Sequence, residues 1–246
     1  MLSVDELAQM IDHSILLPGQ TDKNLVEGIA IARKYRVKCV VPKAFEAARA
    51  KQLLEGSDVR LCIAIGFPQG LNHPEVKRHE AELVLQQGAQ ELDMVINISA
   101  LKSRRYEFVE RDIAGVVEVA KRYGAPVKAI LETYLLTDEE KVAACRVAEQ
   151  AGAAFVKTST ATQPGGATVE DIRLMRMTVS PKVVVKASGY VTDIDKVVEL
   201  YEAGARRFGT AYTVDILEGL RKKLARRAER PRDRPNVSLQ RERERR

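Results

Sequence analysis

An eightfold alternation of short apolar runs with longer amphipathic ones predicts an α/β fold, a (β/α)8 TIM barrel. Two kinds of punctuation support it. Gly88-Ala89, Gly124-Ala125, Gly152-Ala153 and Gly204-Ala205 each close a helical stretch just before a strand. Glycine there supplies the left-handed residue of a C-cap. Thr137-Asp138-Glu139-Glu140 and Thr168-Val169-Glu170-Asp171 open helices with a capping threonine and acids in the first turn. The length, 246 residues, suits a barrel, which commonly runs ~250. The competing architecture is a doubly wound open sheet. No strand is followed by a Gly-x-Gly-x-x-Gly turn, which argues against a dinucleotide site.

In chain order, strands are predicted at 10–13, 38–41, 60–65, 91–96, 127–131, 154–157, 183–186 and 207–209. Helical patterns lie between them near 22–35, 45–54, 75–87, 106–122, 138–151, 169–178 and 193–203, with a last one from about 214. The run from Glu91 to Asn97 alternates: Glu91, Asp93, Val95 and Asn97 share one face, and Leu92, Met94 and Ile96 the other. The runs ending in Val156-Lys157 and Val185-Lys186 read as buried strands whose lysines fall where strand gives way to loop.

Composition narrows the function classes. Hydrophobic residues make up 45% of the chain, enough to fill a barrel core, yet no apolar run approaches the ~20 residues of a membrane span. The opening Met1-Leu2-Ser3-Val4-Asp5-Glu6 lacks the basic-then-apolar pattern of a signal peptide. Cys39, Cys62 and Cys145 are odd in number and widely spaced, which suits free thiols in a reducing cytosol. A cytoplasmic location follows as an expectation.

The net charge of +6 is concentrated at one end. Residues 221–246 carry 12 Lys+Arg against 4 Asp+Glu, whereas 1–220 carry 28 against 30. Pro231 and Pro235 prevent a continuous helix through the basic segment. The expected division is a barrel domain over 1–224 and a basic, disordered tail over 225–246. Nucleic acid is not the expected partner, because no aromatics interleave with the charges to stack on bases.

In a barrel, chemistry sits at the C-terminal ends of the strands. Polar residues predicted there are Asp12, Ser14, Cys39, Asp93, Asn97, Glu132, Lys157, Thr158, Thr160, Lys186 and Ser188. Burying an ammonium is costly, and a neighbouring ammonium depresses the pKa of one of the two. A neutral lysine is the nucleophile for a Schiff base with a carbonyl. Taken singly, each lysine is better explained as one whose ammonium reaches solvent. With Asp93 at the same mouth, the pair suits carbonyl chemistry through an imine. His73 and His79, six apart, do not share a helix face, so no multi-histidine metal site is expected.

From Ile11 to about Gly219 the chain resembles the deoxyribose-phosphate aldolase family. The segments that carry the resemblance are Ile11-Asp12-His13-Ser14, Gly66-Phe67-Pro68-Gln69-Gly70, Glu91 to Asn97, Glu132 to Glu139, Phe155-Val156-Lys157-Thr158-Ser159-Thr160, Gly165 to Asp171, and Val185-Lys186-Ala187-Ser188-Gly189, in order. The resemblance implies a class I aldolase without cofactor or metal. Its small-molecule substrate would be 2-deoxy-D-ribose 5-phosphate, reversibly cleaved to acetaldehyde and D-glyceraldehyde 3-phosphate. It implies Lys157 as Schiff-base lysine, Lys186 as the charge that keeps Lys157 partly neutral, and Asp93 as proton relay. Asp12, Ser14, Cys39, Thr158 and Thr160 would line the pocket. Gly166, Ser188, Gly189, Gly209 and Thr210 would lie around the substrate and its phosphate. A homo-oligomer is also implied.

Departures from the family pattern cluster at the phosphate loops. Tyr190 follows Ser188-Gly189 where relatives have a second glycine. Ala211-Tyr212 follows Gly209-Thr210 where relatives have serine and another small residue. Leu17 and Val41 stand where many relatives carry lysine and asparagine. The tyrosines are expected to crowd the phosphate pocket. A same-family aldolase acting on another, unphosphorylated aldehyde is therefore the second reading, and a non-catalytic binding barrel the third.

Overall fold

In the computed structural model, which describes residues 2–229, eight parallel strands close into a barrel in sequential order. They are β1 (Ile11–Ile15), β2 (Cys39–Pro42), β3 (Arg60–Ile65), β4 (Glu91–Val95), β5 (Val127–Ile130), β6 (Phe155–Lys157), β7 (Val184–Ser188) and β8 (Arg207–Thr210). Sequential pairing, with β8 returning to β1, excludes the open doubly wound sheet.

The helices are α1 (Val4–Ala8), α2 (Asp22–Tyr35), α3 (Ala47–Leu53), α4 (Pro74–Gln86), α5 (Ile98–Lys102), α6 (Tyr106–Lys121), α7 (Asp138–Gln150), α8 (Val169–Thr178), α9 (Ile194–Glu202) and α10 (Thr213–Glu229). Local chemistry fixes their ends. Thr137 and Glu140 form a reciprocal capping box on α7, and the Thr168 hydroxyl accepts from Asp171 N on α8. Gly88, Gly124, Gly152 and Gly204 all have positive φ, as their C-cap role requires. Arg36 closes α2 in the same left-handed region without being glycine. Helix α10 includes residues 225–229, the first part of the expected tail; that expectation otherwise falls on 230–246, outside the described residues.

Outward-facing strand residues such as Ile11, Leu61, Ile63, Leu92, Met94, Val156, Val185 and Phe208 pack under the helices in one continuous apolar layer. The opposite side is different. Cys39, Val41 and Cys62 form a small separate apolar group, and the remaining interior is largely ionic.

Candidate active site

Register places the charges. Asp93 stands opposite Lys128, Lys157 opposite Lys186, and Lys186 opposite Arg207. Neighbouring strands with matched parity aim side chains the same way. These side chains therefore converge inside the barrel, where layers of Val, Ile and Leu are usual.

Asp93 is the hub. Its Oδ2 accepts from Lys157 Nζ at 2.7 Å and from Lys186 Nζ at 2.6 Å. Its Oδ1 accepts from Lys128 Nζ at 2.7 Å and from the Cys62 thiol at 3.1 Å. Lys186 also donates to Asp12 Oδ2 at 2.5 Å. Arg207 spans Asp12 Oδ1 at 3.1 Å and Glu91 Oε2 at 3.0 Å, and Lys128 lies 2.9 Å from Glu91 Oε2. Four cations and three carboxylates thus share one buried volume. Lys128 and Lys186 are fully buried; Lys157, 4% exposed, is the lysine of the three that reaches the opening.

The same geometry sorts the protonation states. Burial lowers the Lys157 pKa, Asp93 opposes that, and Lys186 adds to it, for a net fall. Burial also lowers Lys186, but Asp12 and Asp93 outweigh it and its pKa rises. Lys128 is raised well above its usual value, burial being overcome by Asp93, Cys62, Asp12 and Glu91. Burial alone would raise Asp93 and Asp12, yet the surrounding cations hold both well below the usual carboxylate range. Burial keeps the Cys39 and Cys62 thiols protonated. Of the two causes that lower Lys157, desolvation is the larger and Lys186 the smaller.

Past the strand ends, hydroxyls tie the loops. Thr158 Oγ1 donates to Ser188 O at 2.9 Å and accepts from Ser188 N at 3.0 Å, while Thr158 N donates to Lys186 O. Glu132, in the left-handed region with φ 57°, accepts from Thr160 N at 3.1 Å and from its hydroxyl. Its Oε1 has no partner. Gly166 and Gly189 touch: a Cβ on Gly166 would fall 2.3 Å from Gly189 O. A Cβ on Gly209 would fall 2.8 Å from Ser188 Oγ and 3.3 Å from Lys186 Cε. The Thr210 hydroxyl donates to Val191 O at 2.6 Å and accepts from Tyr212 N at 2.8 Å.

The predicted residues are therefore brought together at two depths. Lys157, Lys186, Asp93 and Asp12 join in the interior. Thr158, Thr160, Gly166, Ser188, Gly189, Gly209 and Thr210 frame the mouth, and Ser14, half-buried, lies one pleat above Asp12 on the same face. Cys39 is the first residue of β2 and sits deep beside Arg207. Asn97 is occupied as the N-cap of α5, accepting from Ala100 N at 2.9 Å. Tyr190 and Tyr212 are 58% and 50% exposed, so both rings stand on the rim. The Tyr190 ring lies against Gly166, its hydroxyl 3.4 Å from Gln163 O. The crowding expected of these tyrosines is accordingly at the lip of the pocket.

Sequence reasoning missed Lys128, Cys62 and Arg207 and gave Glu91 no role. The available signal was Lys128 between Val127 and Ala129: a lysine within an apolar strand needs a buried acid. Asp12, Cys39 and Glu91, and Asp12, Cys62 and Asp93, are each close enough to share a cation. The cations they face are Lys128, Lys186 and Arg207. A surface cavity of about 540 Å³ opens at the opposite end of the barrel, lined by Asp5, Gln9, Arg33, Arg36 and Asp58 among others. All five are exposed, and no buried polar side chain lines it.

Known proteins share this sequence and shape. The family described as "DeoC/LacD family aldolase" matches residues 7–218. The deoxyribose-phosphate aldolase of Streptococcus sanguinis is 50% identical over 216 residues, covering 87% of this chain and 96% of that protein. That of Thermococcus kodakarensis is 48% identical over 216 residues, with 87% and 96% covered. A solved structure, the tetrameric deoxyribose phosphate aldolase from Aeropyrum pernix, superposes with a TM-score of 0.84 at 35% identity, over 90% of this chain and 93% of that one.

Proposed function

This chain belongs to the DeoC/LacD family of aldolases, and we propose that it cleaves 2-deoxy-D-ribose 5-phosphate reversibly through a Schiff base on Lys157. The observation that carries the reading is the pairing of a buried, pKa-lowered amine at the mouth with a carboxylate 2.7 Å away. The identity of about half over most of the chain with enzymes of that name supports the substrate.

The Lys157 amine adds to C1 of the open-chain sugar. The carbinolamine loses water, and Asp93 relays the protons through solvent. The iminium takes up the electron pair as the C2–C3 bond breaks, the C3 hydroxyl loses its proton, and D-glyceraldehyde 3-phosphate leaves. The enamine is then protonated at C2, and water releases acetaldehyde and the free amine. Lys186, held charged by Asp12, keeps a positive field beside Lys157. Gly166, Ser188, Gly189, Gly209 and Thr210 bring backbone close to the phosphate, with Asp12, Ser14, Thr158 and Thr160 supporting the pocket and Cys39 packing beneath it.

Treatment with acetaldehyde and borohydride should fix a two-carbon adduct, mapped by mass spectrometry to Lys157. An adduct confined to Lys186, or none, sinks the assignment. Lys186→Leu should slow turnover at pH 7 by ~10²-fold or more, the scale of a lost acid–base contribution.

A second reading, an unphosphorylated acceptor, has one observation in its favour. The mouth segments 131–137, 158–168, 189–193 and 211–212 contain no Lys, Arg or His. Measuring cleavage of 2-deoxyribose with and without its 5-phosphate separates the two. Among the described residues, no helix is long and apolar enough to cross a membrane. A cytoplasmic place is supported by the three buried free cysteines, and assembly into homo-oligomers by the tetramer of the Aeropyrum pernix relative.

A further inference from the structure

We propose that Lys128 is a positioning residue of this site, holding Asp93 and completing a charge count in which the interior carries one cation too many, so that Lys157 is the group that gives up its proton. The inference rests on Lys157 being the Schiff-base lysine.

The count is made over every element facing Lys157. Asp12 comes from β1, Cys39 from β2, Cys62 from β3, Glu91 and Asp93 from β4, Lys128 from β5, Lys186 from β7 and Arg207 from β8. Glu132, at the end of β5, is turned to Thr160. Arg60 touches Glu91 at 3.4 Å but is half exposed, so water screens it. The thiols are neutral. Lys128, Lys157, Lys186 and Arg207 then face Asp12, Glu91 and Asp93: four positive groups and three negative. All seven groups are buried, so the excess positive charge has no carboxylate of its own, and the cheapest relief is one neutral amine. Arg207 cannot deprotonate at ordinary pH. Lys128 has four acceptors, Asp93 Oδ1, Glu91 Oε2, Cys62 Sγ and, at 3.6 Å, Asp12 Oδ2, and Lys186 touches two carboxylates. Lys157 has a single carboxylate, shared with both others. It is the amine with least to lose.

Lys128 acts through Asp93. It engages Oδ1 and draws on a charge that Lys157 would otherwise feel. Without it, Asp93 serves two ammonium groups, the interior balances at three against three, and Lys157 keeps its proton.

The test is a charge-count series, reading the pH dependence of borohydride-trapped adduct formation at Lys157 with acetaldehyde. Lys128→Met should move the acid limb upward by about one pH unit or more, the scale of one buried neighbouring charge. Glu91→Gln removes an anion and should move it downward. The double variant should return it towards the native position. A packing role alone would lower yields without opposite shifts. Coincident limbs in Glu91→Gln and the native protein overturn the proposal, even if Lys128→Met does not fold; so do shifts of the same sign in both single variants. Absence of any Lys157 adduct in the native protein is a separate outcome and removes the reading beneath it.

Discussion

Asp93→Asn is the sharpest perturbation available, because it changes one oxygen to nitrogen and removes the charge on which three lysine side chains converge at 2.6–2.7 Å. Removing one partner of a buried ion pair costs about 3–5 kcal/mol. Here three partners are stranded, but the loss is bounded. A lysine of ordinary pKa can shed its proton at pH 7 for about 5 kcal/mol, at roughly 1.4 kcal/mol per pH unit. Lys157, already lowered, sheds it for less. The expected destabilisation is therefore about 3–5 kcal/mol, or roughly 10 °C in Tm for a domain of this size. It should shrink as pH rises from 7 towards 10, since the stranded lysines then have lower pKa values folded than unfolded, and stability for such groups grows with pH. The control is Lys157→Met, which removes the amine of lowered pKa, leaves three cations facing three carboxylates, and should be about as stable as the native protein while losing all activity. Urea unfolding at pH 7 and 9.5 measures both. An Asp93→Asn variant within about 1 kcal/mol of native would refute the argument that the carboxylate holds the interior together.

Three further outcomes follow from the same structure. Burial pushes His13 down to about 4, so the folded protein resists its protonation; between pH 7 and 5, before the carboxylates titrate, stability should fall by about 2 kcal/mol, a slope His13→Gln abolishes in urea titrations. A chain ending at Arg226 keeps Ile216, Leu217, Leu220 and Leu224 of α10 against the core; differential scanning fluorimetry should place its Tm within about 2 °C of the full chain, a surface-sized change. The double change Tyr190→Gly with Tyr212→Ser clears the lip and should raise preference for the phosphorylated substrate in kcat/KM; a native preference already above ~10³-fold, about 4 kcal/mol of differential binding, would show that the rim tyrosines do not impede phosphate.

Strand count, helix placement and the meeting of Lys157, Lys186 and Asp93 were legible because each depends on period and order. All eight predicted strands coincide with observed ones within two residues at either end, and α2 and α8 match at both ends. Helices α1 and α5, five residues each, are too short to show a period. The ionic interior was only half legible. Parity within a strand tells which residues share a face, but cross-strand register tells which acid a lysine meets, and parallel register has no local sequence signal. Lys128 opposite Asp93 is such a fact. Depth was hidden for the same reason: Cys39, read as a mouth residue, begins its strand and lies low. The place of the Tyr190 ring on the rim goes with a φ of 55°, a conformation a tyrosine seldom adopts.

The ionic layer and the rim differ in how they can change over generations. In the layer, nearly every single substitution leaves an opposite charge stranded in the dark of the barrel, so an alteration must arrive in pairs or be lost. On the rim, Tyr190 and Tyr212 stand more than half in solvent or at its edge, and a new side chain there disturbs no partner charge. Variation is thus channelled by electrostatics: one lineage can try many lips on the same well while the well stays fixed. Tyr190 and Tyr212, two of this chain's departures from the family pattern, fall on the lip, where trial is cheapest.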